Sequence, residues 1–328
     1  MKSNIRVWRS FLDPEYLSDE LINKYGFKDT VVCKPLKFGG SNDIFLLKTS
    51  NKSYIIKIFF ERQCWQYNKD HYLFELELQE YLVKNAFSVP RPIKNKEGDI
   101  IDTIILPEGN KYLAVYEYIS GIKWDHTLTK DKRLKILGET MAKFHNIASK
   151  FKSGLKCCRE LNLKLLLDKA WHDIESYVEL PNEKIKRELN NIYILLNSGL
   201  GSYKIDKNLK LIHGDMHAGN HLYNTYANKI TLIDFELCGY GYYMYEFAVL
   251  KWDLLNSHKK DFVERCMNEF FEGYHEINSI SKKDFKLMDF FIKIRYFFML
   301  GSSFLFYKDK PQMNSEYILN YYIKAMNK

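Results

Sequence analysis

Two short polar motifs near the middle of the chain limit its fold and its chemistry more than any other feature. The first is IHGDMHAGN at residues 212–220, and the second is IDFE at residues 233–236. The first has the spacing H-x-D-x-x-x-x-N, which catalytic loops for phosphoryl transfer use to place a carboxylate beside an acceptor hydroxyl and an amide oxygen beside a metal ion. The second adds a carboxylate after an apolar run that indicates a short strand. One base and two oxygen ligands for magnesium, held close together, suit phosphoryl transfer.

The pairing of these motifs resembles the aminoglycoside phosphotransferase and choline kinase superfamily, which has a protein-kinase-like fold. The form HGDMHAGN is especially similar to type II homoserine kinases, spore-coat CotS-like kinases and the stress-response kinase A. The resemblance implies that Asp215 is the catalytic base and that Asn220 and Asp234 bind Mg2+. It also implies that ATP is the phosphoryl donor and that His213 and His217 shape the loop.

A candidate phosphate-binding hairpin precedes these motifs. The runs 31–36 and 44–48 flank a glycine-rich turn in a strand, turn and strand pattern. The resemblance implies that the turn residues Gly39, Gly40 and Ser41 bind the nucleotide, because glycines let backbone N–H groups approach phosphates without an intervening side chain. Any β-hairpin gives a similar pattern, so the weight of this prediction comes from its position in the chain.

A lysine interrupts the next apolar run, YIIKIFF. A charge inside a buried strand needs an anionic partner, whereas a lysine on an edge strand can reach water. In the superfamily such a lysine binds the nucleotide phosphates and a helix glutamate, which implies both roles for Lys57. The segment 73–83 is the predicted helix. Glu77 is its best match to that glutamate, and Glu75 and Glu80 stay open because one helix turn changes which carboxylate faces inward.

A strand that runs into a turn, YLAVYEYISG at 112–121, resembles the superfamily's hinge between lobes. The resemblance implies that adenine hydrogen-bonds there to backbone groups of Glu117, Tyr118 and Ile119. An ordinary sheet strand that ends in a glycine-containing loop fits the same residues. Because backbone contacts leave little trace in a sequence, the assignment depends on the resemblance.

Two acidic positions, one at the end of the second motif and one beyond it, have more than one interpretation. Many relatives continue towards an Asp-Leu-Ala element, for which the nearest match is YEFA, so Glu246 would replace that aspartate as a structural anchor. Glu236 either lies behind the metal ligands or contacts the acceptor. If the acceptor is cationic, Glu236, Glu246 and Asp253 could pair with its amines, but the sequence does not place them in a pocket.

The order of these motifs predicts an α+β, two-lobed, protein-kinase-like fold. With 46% hydrophobic and 27% charged residues, the chain can form two sizeable cores. Residues 1–118 are predicted to form a nucleotide-binding lobe with a small antiparallel sheet, in which 1–30 is a helical lead-in. Residues 119–328 are predicted to form a larger, mainly helical lobe for catalysis and acceptor binding. Its helices are predicted over segments 134–148, 161–180, 185–197, 234–250, 262–274 and 285–307.

The chain carries no sign of membrane insertion or of nucleic-acid binding. Its first residues lack the apolar core of a signal peptide. The most apolar window, 288–307, contains Lys293 and Arg295 and suits a core helix better than a membrane span. The formal net charge of +8 is spread along the chain without a basic arm. We therefore expect a cytoplasmic protein with neither a membrane nor a nucleic-acid partner.

The six cysteines show neither disulfide-framework nor Cys-x-x-Cys spacing, which favours reduced thiols. A zinc site is conceivable because His213, His217 and His221 recur every four residues. However, Gly214 and Gly219 disfavour a regular helix there, and the oxygen donors of the motif suit magnesium better.

The expected function is transfer of the γ-phosphoryl group of Mg-ATP to a hydroxyl of a small molecule, such as an aminoglycoside or other antibiotic, homoserine or choline. One alternative is a protein Ser/Thr kinase of the stress-response kinase A type. The other is a catalytically silent nucleotide-binding protein, against which the intact set Lys57, Asp215, Asn220 and Asp234 argues. The shared catalytic apparatus does not select the acceptor, and the oligomeric state is unknown from the sequence.

Overall fold

The structure is a computed structural model in which the chain forms two compact units, Met1–Ser120 and Gly121–Lys328. The residues that it describes are 7, 10–27, 30–37, 42–59, 68–124, 133–155, 159–177, 183–201, 209–307 and 315–327. An antiparallel sheet dominates the first unit and helices dominate the second, which confirms the predicted α+β class. The separate roles expected of residues 1–118 and 119–328 stay predictions.

A six-stranded antiparallel sheet forms the centre of the first unit. Its strands lie in the order β1-β2-β3-β6-β4, and β5 pairs with β6. The elements of this unit are β1 (Thr30–Lys37), β2 (Asn42–Thr49), β3 (Ser53–Phe59), β4 (Pro92–Ile93), β5 (Asp102–Leu106), β6 (Gly109–Glu117), α1 (Pro14–Tyr25) and α2 (Lys69–Lys84).

Both helices of this unit begin at side chains that cap their first turn. The Asp13 carboxylate accepts hydrogen bonds from the N–H groups of Glu15 and Tyr16, at 2.9 and 3.0 Å. The Asn68 side chain accepts one from the N–H of His71 at 3.3 Å. These caps satisfy N–H groups that have no partner within the helix, and so they fix where α1 and α2 start.

The two faces of strand β3 determine where its lysine lies. Ile56 and Ile58 belong to the core cluster that includes residues of α1. Phe59 belongs to a second cluster with Tyr72 of α2. Because successive side chains of a strand point to opposite faces, Lys57 shares the face of Phe59 and is directed towards α2.

Helices form most of the second unit. They are α3 (Arg133–Ala148), α4 (Ala170–Tyr177), α5 (Glu183–Gly201), α6 (Tyr243–Ser257), α7 (Lys260–His275), α8 (Lys282–Phe285), α9 (Met288–Tyr307) and α10 (Ser315–Met326). A π-helical turn, Lys164–Lys169, leads into α4. Helix α3 packs against α7, and α9 packs against both α4 and α6. Across the described ranges we find no helix whose length and apolarity would let it span a bilayer.

Two small antiparallel sheets in the second unit hold the polar motifs. One has the order β10-β9-β7, and in the other β8 pairs with β11. Their strands are β7 (Ile122–Lys123), β8 (Lys210–Ile212), β9 (His221–Asn224), β10 (Lys229–Leu232) and β11 (Gly239–Gly241). The H-x-D-x-x-x-x-N motif therefore connects β8 to β9, and the IDFE motif follows β10.

The helix predicted over 234–250 is wrong in its first half. Helix α6 begins only at Tyr243, and the preceding residues form the 3-10 turn Phe235–Leu237 and strand β11. A side chain at Gly239 would collide with the backbone of Arg159, so a glycine is needed where β11 passes close to that segment. This strand pairs with β8 and so fixes the start of the loop between β8 and β9.

Candidate active site

The loop between β8 and β9 turns sharply at Gly214. This residue has a φ of +80°, a left-handed conformation that glycine adopts without strain. An added Cβ would also collide with the backbone carbonyl of Leu237. The glycine after His213 is therefore a geometric requirement of this loop, because both its conformation and its surroundings exclude a side chain.

His213 joins the loop to the strand that precedes Asp234. Its Nε2–H donates to the carbonyl of Ile233 at 3.0 Å, and its Nδ1 accepts from the N–H of Asp215 at 3.3 Å. Burial lowers the pKa of this imidazole to about 4, so it is neutral near pH 7. Both ring nitrogens contact the backbone, which supports the loop-shaping role and leaves neither nitrogen for a zinc ion.

Glu246 of α6 also binds the backbone of this loop. Its Oε2 accepts hydrogen bonds from the N–H groups of His213 and Gly214, at 2.7 and 3.2 Å. The residue is fully buried. This geometry matches the structural anchor expected of Glu246, and it gives no support to a contact between this carboxyl and an amine of the acceptor.

Glu246 should make the stability of the protein depend on pH. Burial raises the pKa of its carboxyl from 4.5 to about 8, although the two backbone N–H groups oppose the shift. The folded state then binds this proton more tightly than the unfolded state, so the stabilisation is complete below pH 4.5 and is lost as the pH rises to about 8. In urea unfolding across this range, the free energy of unfolding of the wild type should fall relative to that of Glu246→Gln. If the free energies of unfolding of the two proteins changed with pH by the same amount, that result would contradict the raised pKa of Glu246.

Asp215 lies between three polar groups. Its Oδ1 accepts a short hydrogen bond from Nη2 of Arg295, and its Oδ2 accepts one from Nδ2 of Asn220 at 3.1 Å. Nε2 of His217 lies 3.6 Å from the same Oδ2. Burial alone would raise the pKa of Asp215, but the Arg295 guanidinium, together with His217 and His213, holds the pKa below its ordinary value. The side chain is therefore a fixed carboxylate near neutral pH.

Asn220 and Asp234, the two predicted magnesium ligands, lie close together in the structure. Nδ2 of Asn220 donates to both the carbonyl and the carboxylate of Asp215, at 2.8 and 3.1 Å. This orientation turns the amide oxygen away from Asp215. The N–H of Ile233 donates to the carbonyl of Asn220 at 2.9 Å, which brings Asp234 to the same end of the β9–β10 hairpin. Amide and carboxylate oxygens are hard donors, so these side chains fit a magnesium ion.

Asp253 of α6 supports the turn that carries Asn220. Its carboxylate accepts a hydrogen bond from the N–H of Ala218 at 2.8 Å. This contact occurs at the first residue of the 3-10 turn Ala218–Asn220. Asp253 thus stabilises the loop between β8 and β9.

Lys57 pairs with Glu75, which corrects the assignment to Glu77. Nζ of Lys57 lies 3.0 Å from Oε1 of Glu75, and the two side chains are 7% and 1% exposed. Tyr116 OH also donates to that oxygen, at 3.4 Å. Residues two apart on a helix point in nearly opposite directions, so Glu77 is on another face and only half-buried. Glu80 lies 3.6 Å from Lys94.

Replacing Glu75 and Glu77 separately by glutamine tests which of the two orients Lys57. We expect Glu75→Gln to lower kcat/KM for ATP by about 10- to 100-fold, because Lys57 would lose the charge that orients it. Glu77→Gln is the matched control, since it removes the same charge from the same helix, and it should stay close to the wild type. Steady-state kinetics with varied ATP measure both. An equal loss in the two variants would contradict the assignment to Glu75.

Fewer backbone groups are open to adenine than the sequence indicated. The N–H of Glu117 donates to the carbonyl of Arg91 at 2.9 Å, and the N–H of Tyr118 donates to that of Ser53 at 3.1 Å. Both groups are used within the first unit, so they are not open to a base. The adenine contact stays a prediction, limited to the carbonyl oxygens of this segment and to Ile119.

The predicted phosphate-binding turn lies outside the described residues. Gly39, Gly40 and Ser41 all belong to this part of the chain. The strands on either side are described, and β1 pairs with β2 in antiparallel register up to Lys37 and Ile44. The hairpin is therefore present, whereas binding of phosphates by its turn stays a prediction.

Glu236, the last residue of the second motif, lies in the 3-10 turn Phe235–Leu237 and is only 5% exposed. The Arg159 guanidinium donates a short hydrogen bond to the backbone carbonyl of Glu236. Such burial favours a position behind the metal ligands over a contact with the acceptor. Between the two interpretations left open by the sequence, the structure supports the first.

Sequence reasoning missed the part that Arg295 plays at this site. Arg295 lies on α9, 80 residues from Asp215 in the chain, and the sequence indicated only a charge within a core helix. The signal that could have revealed this contact was the charge of Arg295 within an apolar segment. A lone arginine in the most apolar window of a chain needs a buried anionic partner, and Asp215 is that partner.

Comparisons with known proteins agree with this geometry. A family model described as "Phosphotransferase enzyme family" (APH) matches residues 32–284. An amicoumacin kinase of Bacillus subtilis strain 168 is 24% identical over 302 residues, which is 88% of this chain and 84% of that protein.

Two solved structures are similar to the chain over nearly its whole length. The amicoumacin kinase hAmiN, in complex with AMP-PNP, Ca2+ and Ami, has a TM-score of 0.78 at 19% identity and covers 96% of this chain and 93% of its own. A microcompartment-associated aminopropanol kinase has a TM-score of 0.73 at 18% identity, with coverage of 95% and 94%. At such low identity these likenesses bear on the fold alone, and they confirm the predicted protein-kinase-like fold.

Proposed function

The chain belongs to the phosphotransferase enzyme family, and from this premise we propose that it transfers the γ-phosphoryl group of Mg-ATP to a hydroxyl of a small, amine-bearing molecule. The enzyme class, a phosphotransferase with an alcohol group as acceptor, is that of the family and of its kinase relatives. The nucleotide, the metal ion and the kind of acceptor are the proposed part. The observation that carries the proposal is the Asp215 carboxylate, held between Arg295 and Asn220.

ATP as the donor has support from two directions. The similar amicoumacin kinase was solved with the ATP analogue AMP-PNP. In the present chain, Lys57 is buried in a strand and paired with Glu75 at 3.0 Å. A lysine fixed in this way presents a positive charge that could orient the phosphates of a nucleotide.

Asn220 and Asp234 are the residues that would hold magnesium. A bound magnesium ion would neutralise charge on the transferring phosphates. The amide oxygen of Asn220 is turned away from Asp215 because both hydrogen bonds of its nitrogen go to that residue. The contacts with Asp215, rather than a metal ion, therefore set the orientation of the Asn220 amide.

Asp215 would act on the acceptor hydroxyl. The acceptor oxygen forms a bond to the γ-phosphorus while the bond from that phosphorus to the β–γ bridging oxygen breaks, and ADP leaves with the electron pair. The hydroxyl proton passes to a carboxylate oxygen of Asp215 and then to solvent. Because the carboxylate is already ionised and fixed, it can orient the hydroxyl without rearrangement of the loop.

The proposed kind of acceptor is supported by the activities of two similar enzymes. One solved relative is an amicoumacin kinase and another is an aminopropanol kinase. The second name specifies an amino alcohol, in which a hydroxyl and an amine are a few bonds apart. We infer that this chain acts on a molecule of that class, either a small amino alcohol or a hydroxylated antibiotic.

The test is to follow the label from γ-labelled ATP in the presence of magnesium and a panel of acceptors. The panel contains amicoumacin, 1-amino-2-propanol, spectinomycin, choline, homoserine and a generic protein. We expect the label on one small molecule and its loss in Asp215→Ala. Label on the protein alone would favour a protein Ser/Thr kinase. ATP binding without any transfer would favour a silent nucleotide-binding protein.

A further inference from the structure

A buried arginine holds one oxygen of the proposed catalytic carboxylate. Arg295 is only 2% exposed, and its Nη2 donates to Oδ1 of Asp215. Two further contacts hold the guanidinium: Nη1 donates to the hydroxyl of Tyr245 at 3.3 Å, and the group lies 4.9 Å from the centre of the Trp252 ring. Helix α9 supplies the arginine, and α6 supplies both aromatic side chains.

The two oxygens of Asp215 therefore have different surroundings. Oδ1 accepts from the charged Arg295, whereas Oδ2 accepts from the neutral amide of Asn220 at 3.1 Å and lies 3.6 Å from Nε2 of His217. Charged hydrogen bonds are about twice as strong as neutral ones, so the Arg295 contact sets the rotation of the carboxylate. Each carboxylate oxygen can accept more than one hydrogen bond. Oδ2 can therefore accept from a hydroxyl in addition to Asn220, and it does not have to compete with the charged donor that Oδ1 binds.

We propose that Arg295 is a positioning residue, which fixes the Asp215 carboxylate so that Oδ2 meets the acceptor hydroxyl. This inference rests on the proposed function, because it assigns Arg295 a task in that same reaction. Arg295 acts through Asp215, and the contacts of its guanidinium with Tyr245 and Trp252 hold it in one orientation. The effect of removing it must then depend on Asp215 being present.

Four variants test this dependence: Arg295→Met, Asp215→Ala, the double variant, and Lys293→Met as the control. The control removes the same charge from the same helix, two residues away, at a half-buried position outside the site. Turnover is measured with the acceptor identified by the panel and, in parallel, as hydrolysis of Mg-ATP, in which water replaces the acceptor. Thermal melting of each variant reports whether it is folded.

We expect Arg295→Met to lower kcat by about 100-fold, the usual effect of misplacing a catalytic group by about 1 Å, with KM for ATP within about two-fold. The double variant should be no slower than Asp215→Ala alone, since Arg295 has nothing left to position. Free guanidinium should restore part of the lost rate to Arg295→Met. Lys293→Met should match the wild type.

Several results would overturn the inference. If Arg295→Met keeps its kcat, no positioning is needed. If the loss persists in the Asp215→Ala background, Arg295 contacts the substrate directly. If Arg295→Met fails to fold, Arg295→Lys replaces it in the test. A folded Arg295→Lys with full kcat would show that a positive charge is sufficient and that the planar guanidinium is not needed to orient Asp215. A wild-type protein that transfers no phosphoryl group would overturn the proposed function itself, and the positioning role with it.

Discussion

Replacing Asp215 by Ala should lower kcat by about 10³-fold, because a positioned general base contributes roughly 10²- to 10⁴-fold to a proton-transfer step. The affinity for Mg-ATP should stay within a few fold, since the nucleotide ligands are on other residues. Turnover and nucleotide binding must therefore be measured separately, by steady-state kinetics and by titration calorimetry. An equal loss in both quantities would contradict the role of Asp215 as a base.

The Asp215→Ala variant needs a control for stability. It leaves the buried Arg295 guanidinium without its carboxylate, and an unpaired buried charge is costly. Asp215→Asn keeps the shape of the side chain and an oxygen that can accept from Arg295, but it cannot take a proton at that oxygen near neutral pH. Loss of kcat in Asp215→Asn with an unchanged melting temperature would assign the effect to chemistry.

Replacing Asp234 should weaken the binding of the nucleotide as well as the rate. We expect kcat/KM for Mg-ATP to fall by at least about 10²-fold, because a metal ligand at a phosphoryl-transfer site contributes several kcal/mol of charge stabilisation. The magnesium concentration for half-maximal activity should rise. Both quantities follow from initial rates with magnesium and ATP varied independently.

The choice of substitution at Asp234 matters because its backbone is left-handed, with φ of +62° and ψ of +70°. Asparagine adopts this conformation more readily than alanine does. Asp234→Asn therefore removes the charge with little added backbone strain, and Asp261→Ala, at an exposed position of α7, controls for loss of an unrelated carboxylate. A normal magnesium dependence in Asp234→Asn would contradict its assignment as a ligand.

Local motifs in the sequence were sufficient to predict the class of the fold and that the two polar motifs lie close together. The residues 212–220 and 233–236 lie at the ends of paired strands, where their order in the chain and a hairpin bring them together. The short distance in sequence between the two motifs was enough to predict that they lie close together. The same holds for Lys57, whose charge within an apolar strand required a partner on the helix facing it.

The partner of that lysine could not be chosen from the sequence alone. Glu75 and Glu77 are on different faces of α2, and which face packs on the sheet depends on tertiary contacts such as that of Tyr72 with Phe59. The spacing of the motifs does not reveal how α2 is rotated about its own axis. The structure settles the matter through burial, since Glu75 is 1% exposed.

The ion pair between Arg295 and Asp215 shows a second limit of sequence reasoning. The two residues are 80 positions apart, and nothing in the spacing of either motif connects them. An apolar helix with a single arginine predicts that a buried anion exists, but not which one. Contacts between distant segments of this kind require the packing of α9 against α6.

The measurement that tests the central claim most directly is phosphorus NMR of Mg-ATP with the acceptor panel, run with the wild type and with Asp215→Asn. We expect ADP and one new phosphomonoester resonance to grow together with the wild type, and neither to grow above background with the variant. ADP and inorganic phosphate without a phosphomonoester, or equal product with the two proteins, would contradict transfer to a small hydroxylated acceptor by Asp215.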